Sequence, residues 1–527
     1  MNFPTLNILV LSLACAGAAA AGQESQQTQA PANQGTASAP SFHEEVIAEL
    51  SPGSEMKGML MNEHHVYWFE KQGGNHMVKM DGKQQGGVFQ ELGWLNTSLD
   101  GAHFAFWGKR NSKWILVTDG HEGTQEYTKG IQPWFQPGRS SLAYGACGEK
   151  KKCRLAVDGT ETGAEYDDVS YPQYSRDGNR LVYFGRRGKK WTAIVNGKEV
   201  GPALEDFSNF GFSSEGGRFF VAGKINRWLL SMYFVDGETG PPFQVFSNIT
   251  FSSDGKQFAY GGTMSPYGKF TNFKKKKVYG TVVVDGRPTA TYEGRGLAGT
   301  WTGLVLFGQE QEIVQGFRAL NPDFDGISSP AFSHEGKLVY AVRRDKGDFA
   351  VMVGGEPGPG FEEILSPIVF TEDRQHFVYV AKRGDEFVEV RDNAPGRSLP
   401  AGSRGPTAVP WIAFSKDAVH VAYETAAERQ SSREGGVRAM RSAVIDGKEG
   451  PKYEALDVTS FAFDKEGHHY FYMVQGTKGK ESKMIIDGHE SRPYDELGGT
   501  HFLEDGKTVT FFARDGSKFL RVSYAVE

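Results

Sequence analysis

Four consecutive lysines, Lys274, Lys275, Lys276 and Lys277, stand among Tyr267, Phe270, Phe273 and Tyr279. A dense cation cluster interleaved with aromatic rings suits an anionic ligand. Shorter basic runs recur at Arg186, Arg187, Lys189 and Lys190, and again at Arg343 and Arg344. Cys147 and Cys153 bracket the basic loop Gly148-Glu-Lys-Lys-Lys152 between two apolar stretches. That spacing faces them across a hairpin, where an exported chain would oxidise them to a disulfide; the plain alternative is two isolated buried thiols, and a metal would need more ligands. Asn321, Asp323 and Asp325, followed by Gly326, alternate oxygen ligands as a calcium loop does, although position twelve is Phe332 rather than Glu. Calcium is therefore the one cofactor the sequence suggests, against the simpler reading of a polar turn.

Catalytic signatures are sparse. The nearest approach to a G-x-S-x-G elbow is Ala401-Gly-Ser-Arg-Gly405, which lacks the first glycine, and no H-E-x-x-H occurs. His64-His65 and His468-His469 enter strands, where adjacent side chains point to opposite faces and cannot chelate together. Carboxylates brought together from distant segments would leave no local motif, and no such pair is identified.

The elements that position these residues are short and numerous. The 527 residues carry 67 Gly and 23 Pro, with 13% aromatic and 39% hydrophobic residues, which favours a turn-rich all-β protein over a helical bundle or disorder. A net charge of −6 argues for neither a nucleic-acid binder nor a disordered acidic chain. Ser98-Leu-Asp-Gly101, Ser175-Arg-Asp-Gly178, Ser213-Ser-Glu-Gly216, Ser252-Ser-Asp-Gly255 and Ser333-His-Glu-Gly336 mark one recurring unit. Weaker copies at Gln136-Pro-Gly138, Thr371, Ser415, Asp464 and Leu503, with one beginning near Leu60, extend it at a period of roughly forty residues. A second turn follows in the unit: Asp119-Gly120, Asp158-Gly159, Asn196-Gly197, Asp236-Gly237, Asp446-Gly447 and Asp487-Gly488. Asp-Gly between apolar runs is a hairpin signal, so each unit predicts four strands, the arithmetic of a β-propeller blade.

The F-S-x-D-G-x-x-x-A-Y core followed by V-V-D-G resembles the WD-like propeller repeats of TolB and of the propeller domains of prolyl-oligopeptidase relatives. The resemblance covers about residues 50–527 and implies the fold, not the activity. Sialidase Asp-boxes separate Asp from Gly by one residue and are not matched.

About eleven blades exceed the usual four to eight, so two propellers are expected: 42–297 and 328–527, divided by an irregular insertion or degenerate repeat at 298–327. Residues 42–50 look like an outer fourth strand and the C-terminal stretch like a third, so the two ends are expected to complete one blade. Residues 1–21 read as a signal peptide ending in a small-residue cleavage site, and 22–41 as a disordered linker. No Leu stands three before Cys15, which disfavours a lipobox. The chain is accordingly expected to be periplasmic or extracellular. The function that fits is an exported binding or scaffold protein engaging an envelope protein or anionic polymer through its loops, without nucleic acid. A propeller hydrolase or lyase acting on polysaccharide or peptide, and a structural envelope component, are the alternatives. Loop bases neutralised by nearby acids such as Asp167, Asp168, Glu362 and Glu363 would weaken the anion reading.

Overall fold

The computed structural model describes residues 41–526 apart from 151, 214–215, 226–231, 243–244, 247, 265–276, 296–329, 345–347, 367, 372, 400–411, 418, 425–427, 432–436 and 476–480. The stretches expected to be leader (1–21) and, up to residue 40, linker (22–41), the expected insertion at 298–327, Lys274 to Lys276 and the three calcium candidates thus lie outside the described residues.

Each repeat folds as an antiparallel sheet whose blade strands pair in chain order, with one inserted strand, Glu428–Ser431, added on the third strand of blade nine. In the second blade Glu91–Thr97, Phe104–Arg110, Lys113–Thr118 and His121–Glu122 pair in succession. The turn between third and fourth strands takes positive φ at two consecutive residues, as at Asp119 (49°) and Gly120 (78°). Such mirror-image turns match the right-handed strand twist, which is why Asp-Gly recurs there. Burial rises and falls across each sheet. The second strand Phe104–Arg110 is largely buried, the first strand Glu91–Thr97 mostly half-buried, and a fourth strand such as Thr160–Tyr166 is exposed up to its last residue. First strands therefore line the inside of the ring, and fourth strands form its rim.

Among the described residues there are eleven such sheets and no helix. Apolar cores lie between sheets, not within them. Tyr67 and Val78 of blade one pack with Phe104 and Phe106 of blade two. Trp107 continues to Tyr144 of blade three, and the pattern passes from blade to blade. The A-Y tyrosine of the second strand serves this packing: a Cβ on Gly163 would stand 2.8 Å from the Tyr183 hydroxyl, and one on Gly240 only 2.3 Å from that of Tyr260. Burial raises the pKa of these phenols, pushing Tyr423 up to about 12.

The termini meet as expected. His43–Glu49 pairs with Lys518–Ala525 as the fourth strand of the last blade, beside Thr508–Asp515 and Glu496–Phe502. Trp68 of blade one then stacks on Phe519 of blade eleven at 4.1 Å, completing the circuit.

The division into two propellers is not shown. Val282 of blade six packs on Tyr340, Val342 and Met352 of blade seven, across the very segment predicted to be a join. Among the described residues every core cluster unites consecutive blades, and the last unites blade eleven with blade one. Eleven interfaces for eleven blades make one cycle. The expectation rested on common ring sizes, whereas inter-blade packing depends only on neighbours.

Candidate functional site

Three surfaces could carry function: the face bearing the two Asp-Gly turns, the opposite loop face, and the inner wall.

On the turn face, Ser, His and Asp converge in a way that resembles a catalytic triad and is not one. Ser98 Oγ donates to Asp100 Oδ1 (2.5 Å) and accepts from the His103 amide (2.9 Å). The His103 ring instead sets Nδ1 2.8 Å from Asp119 Oδ2, while Asp119 Oδ1 accepts the Phe104 amide at 2.9 Å. One aspartate thereby clamps the two hairpin turns of its blade together. A nucleophilic serine needs its oxygen facing the imidazole, and here the oxygen is committed to its own turn. The same latch joins His65 to Asp81, His376 to Asp392, His420 to Asp446 and His469 to Asp487. In other blades Ser141 and Arg218 take the histidine's place, bonding Asp158 and Asp236. The signal was present in the sequence, as His or a polar residue directly before the second strand. Of the doubled histidines, His65 is latched, while His64 lies over Gly101 of the neighbouring turn; the two rings stand 6.5 Å apart.

On the loop face, strand register sets acids opposite bases. Glu55 faces Lys71, Glu91 faces Lys109, Asp168 faces Arg186, Asp206 faces Lys224, Glu363 faces Lys382, and Glu496 faces Arg514. Ion pairs close between Lys109 and Glu91 at 2.8 Å and between Arg514 and Glu496 at 3.1 Å. Of the bases singled out by sequence, Arg187 bonds Glu199, Arg344 bonds Asp348, Arg186 lies 3.6 Å from Asp168, and Lys190 lies 3.8 Å from Glu205. Lys152 holds the Asp167 carboxyl below its ordinary range, helped by the Gly188 amide. Among the described residues the charges of this face are therefore largely neutralised within and between neighbouring blades. Lys150 and Lys189, at hairpin tips of blades three and four, are exposed and form no ion pair with a described residue. Arg343 ends the strand Leu338–Arg343, and Lys277 begins the strand Lys277–Val284.

Cys147 and Cys153 face each other in register and are bonded at 2.07 Å. Asp168 lies near enough to complete a group of three potential ligands, but the sulfur atoms are engaged with each other. Three glutamates are buried in the sheets: Glu70 beside the Trp68 indole N–H (3.0 Å), Glu389 with Arg397 (2.6 Å) and Glu424 with Arg441 (2.9 Å). All three sit on second or third strands, away from the inner wall.

No protein-family model matches this chain. No curated protein matches it either. Among solved structures, it is similar to a eukaryotic initiation factor at 11% identity and TM-score 0.36, over 75% of this chain and 96% of that one. Similarity to the Dos1 propeller is 10% identity and TM-score 0.31, covering 75% and 92%. The β-propeller domain of the Trilobed protease from Pyrococcus furiosus gives 10% and 0.24, covering 61% and 93%. The propeller assignment rests on the strand pairing and cyclic packing described above, not on these similarities.

The inner wall is built from first strands whose pairing is interrupted midway. Residues 131–133, 170–172 and 208–209 fall in such breaks. Where the ladder fails, a serine hydroxyl often accepts the orphaned second-strand amide: Ser170 from Phe184 (2.9 Å), Ser366 from Val380 (2.8 Å) and Ser460 from Met473 (2.7 Å). Buried amides need such partners.

Proposed function

We propose that this ring is an exported binding or scaffold protein that presents its loop face to an envelope protein or anionic polymer. One observation carries the reading: side chains that resemble catalytic groups are consumed as latches, while Lys150 and Lys189 on adjacent blades stay exposed and outside the ion-pair network. Rigid sheets with variable loops are suited to recognition, and unneutralised lysines favour an anionic surface. The lysine run 274–277 supports the same partner chemistry from its sequence alone. Export rests on the leader-like composition of residues 1–21.

The test is affinity capture of the tagged mature chain from its native envelope after mild crosslinking, repeated across a salt titration. A stoichiometric partner lost as salt rises is expected, because exposed charges are screened within about 8 Å at physiological ionic strength. Replacing Lys150 and Lys189 with Ser, and separately Lys274–Lys277 with Ser, should reduce capture several-fold at low salt. Capture unchanged by both variants would remove the loop face from the reading. Turnover of a polysaccharide or peptide by the purified chain would move it to the hydrolase or lyase alternative.

A further inference from the structure

Blade two breaks the pattern of the inner wall. In blades four, eight and ten the mid-strand interruption is sealed by a serine that serves its own sheet. In blade two the pairing lapses between Gly93 and Asn96, and Trp94 and Leu95 occupy the gap. Trp94 is 55% exposed with φ of 24°, a left-handed conformation that a bulky residue rarely adopts. The residues around it are pinned. Leu92 and Leu95 pack into the core between blades one and two, and Gly93 lies against the Trp114 ring, where an added Cβ would stand 3.3 Å away. Asn96 donates to the Pro133 carbonyl of blade three at 2.8 Å. The chain is anchored on both sides of an indole turned away from the core.

The surroundings define the chemistry. The corresponding gaps of blades three, four, five and eleven hold Ile131-Gln-Pro133, Ser170-Tyr-Pro172, Ser208-Asn209 and Gly499-Thr500, with no charged residue among them, and the single-residue lapse of blade one holds Lys57, which is paired with Glu55 of its own strand. Acids and bases are confined to the loop-side ends of the first strands, as at Glu91, Asp168, Asp206 and Glu496. An exposed indole face combined with amide and hydroxyl groups, with no unpaired charge in these gaps, fits a ligand carrying both an apolar ring face and hydroxyls. Single-stranded nucleic acid would require cations beside the stacking ring, and an acidic polymer would require them too.

We infer that Trp94 forms the stacking platform of a neutral-saccharide site on the inner wall, separate from the basic loops. The pyranose C–H face lies on the indole, and Gln132 and Ser208, the gap side chains not committed to their own sheets, serve the hydroxyls.

Titration calorimetry of the full chain with cellohexaose, N-acetylchitohexaose and maltohexaose tests this. At least one should bind, with an affinity indifferent to salt, and Trp94→Ala should weaken it about tenfold, the size expected for one lost stacking contact. Trp94→Phe should retain most of the affinity. The Lys150→Ser/Lys189→Ser variant should bind the sugar as the wild type does, so failure of the loop-face reading is distinguishable from failure here. Because the backbone at Trp94 is left-handed, Trp94→Gly should leave the melting temperature unchanged or slightly raised. A wild-type chain that binds none of the three hexaoses, or a Trp94→Ala variant that binds as well as wild type, overturns the proposal. A marked fall in melting temperature in Trp94→Gly would do so as well, by assigning the indole to the fold.

Discussion

Gly467 illustrates how much a single repeat residue carries. Its φ of 81° demands a left-handed backbone, and an added Cβ would stand 2.8 Å from the His420 ring and 3.0 Å from Ser415 Cβ of the preceding blade. His420 cannot easily swing aside, because its Nδ1 is held 2.7 Å from Asp446. Gly138 occupies an equivalent turn with φ of 67° and nothing within 4 Å of the added carbon. Gly138→Ala should therefore cost about 1 kcal/mol, the conformational penalty alone. Gly467→Ala should cost about 3 kcal/mol, since overpacking adds to that penalty. Urea midpoints of the two variants measure the difference. Combining Gly467→Ala with His420→Ala should recover part of the packing loss, and no recovery would mean that backbone strain is the whole effect.

At the scale of the element, the hairpin of blade three is the one clamped covalently. Cys147 and Cys153 end one strand and begin the next, with a basic loop between them. Closing so short a loop stabilises by about 2 kcal/mol in the chain-entropy account. Reductant, or the Cys147→Ser/Cys153→Ser pair, should lower the melting temperature modestly, and reductant should leave the double variant unmoved. Arg344 and Asp348 bridge the equivalent loop of blade seven by an ion pair, a weaker fastening in water. The disulfide pairing was legible from spacing because a hairpin fixes which residues face each other. The acid-base pairs of the inner strands were not: Glu91 and Lys109 become partners only through a register that the interruption between Gly93 and Asn96 resets.

Closure is a property of the whole ring. The first described strand is joined to the last by pairing, and a charge clasp ties it to the outer segment of blade ten: Arg492 donates to both oxygens of Glu44 (2.6 and 2.9 Å), and the Tyr494 hydroxyl donates to the same carboxylate (2.6 Å). Phe42 covers Tyr524 with ring centres 4.7 Å apart. The Arg492 hydrogen bond, with that of Tyr494, holds the Glu44 carboxyl below its ordinary range against an opposing effect of burial. A carboxyl lowered by folding contributes stability that is full above the unfolded value of about 4.3 and disappears as pH falls through the folded value. Wild-type melting temperature should consequently fall more steeply than that of Glu44→Gln on acidification below about pH 5, and the two curves should converge in strong acid. At neutral pH the variant should lose about 1 kcal/mol, since the pair is partly exposed. Parallel curves at all pH values would show that the clasp contributes nothing to closure.

By itself the sequence determined the blade. Turn glycines, Asp-Gly hairpins and apolar alternation act over a few residues, so all four strands of a unit, the number of units and the meeting of the two ends could be read from local pattern. Only the tertiary structure decided how many rings those blades make, because closure depends on the small rotation between neighbours accumulated over eleven interfaces. It likewise decided which polar groups are spoken for. Asp119 and His103 lie sixteen residues apart yet share a hydrogen bond, and Arg187 reaches Glu199 on another strand of its blade. Charge counts along a chain cannot register such pairing, which engages Arg186, Arg187, Lys190 and Arg344 with acids on other segments or across their own loop. Trp94 appeared in the sequence as one aromatic among many, and its exposure follows from the neighbours that bury Leu92 and Leu95 on either side.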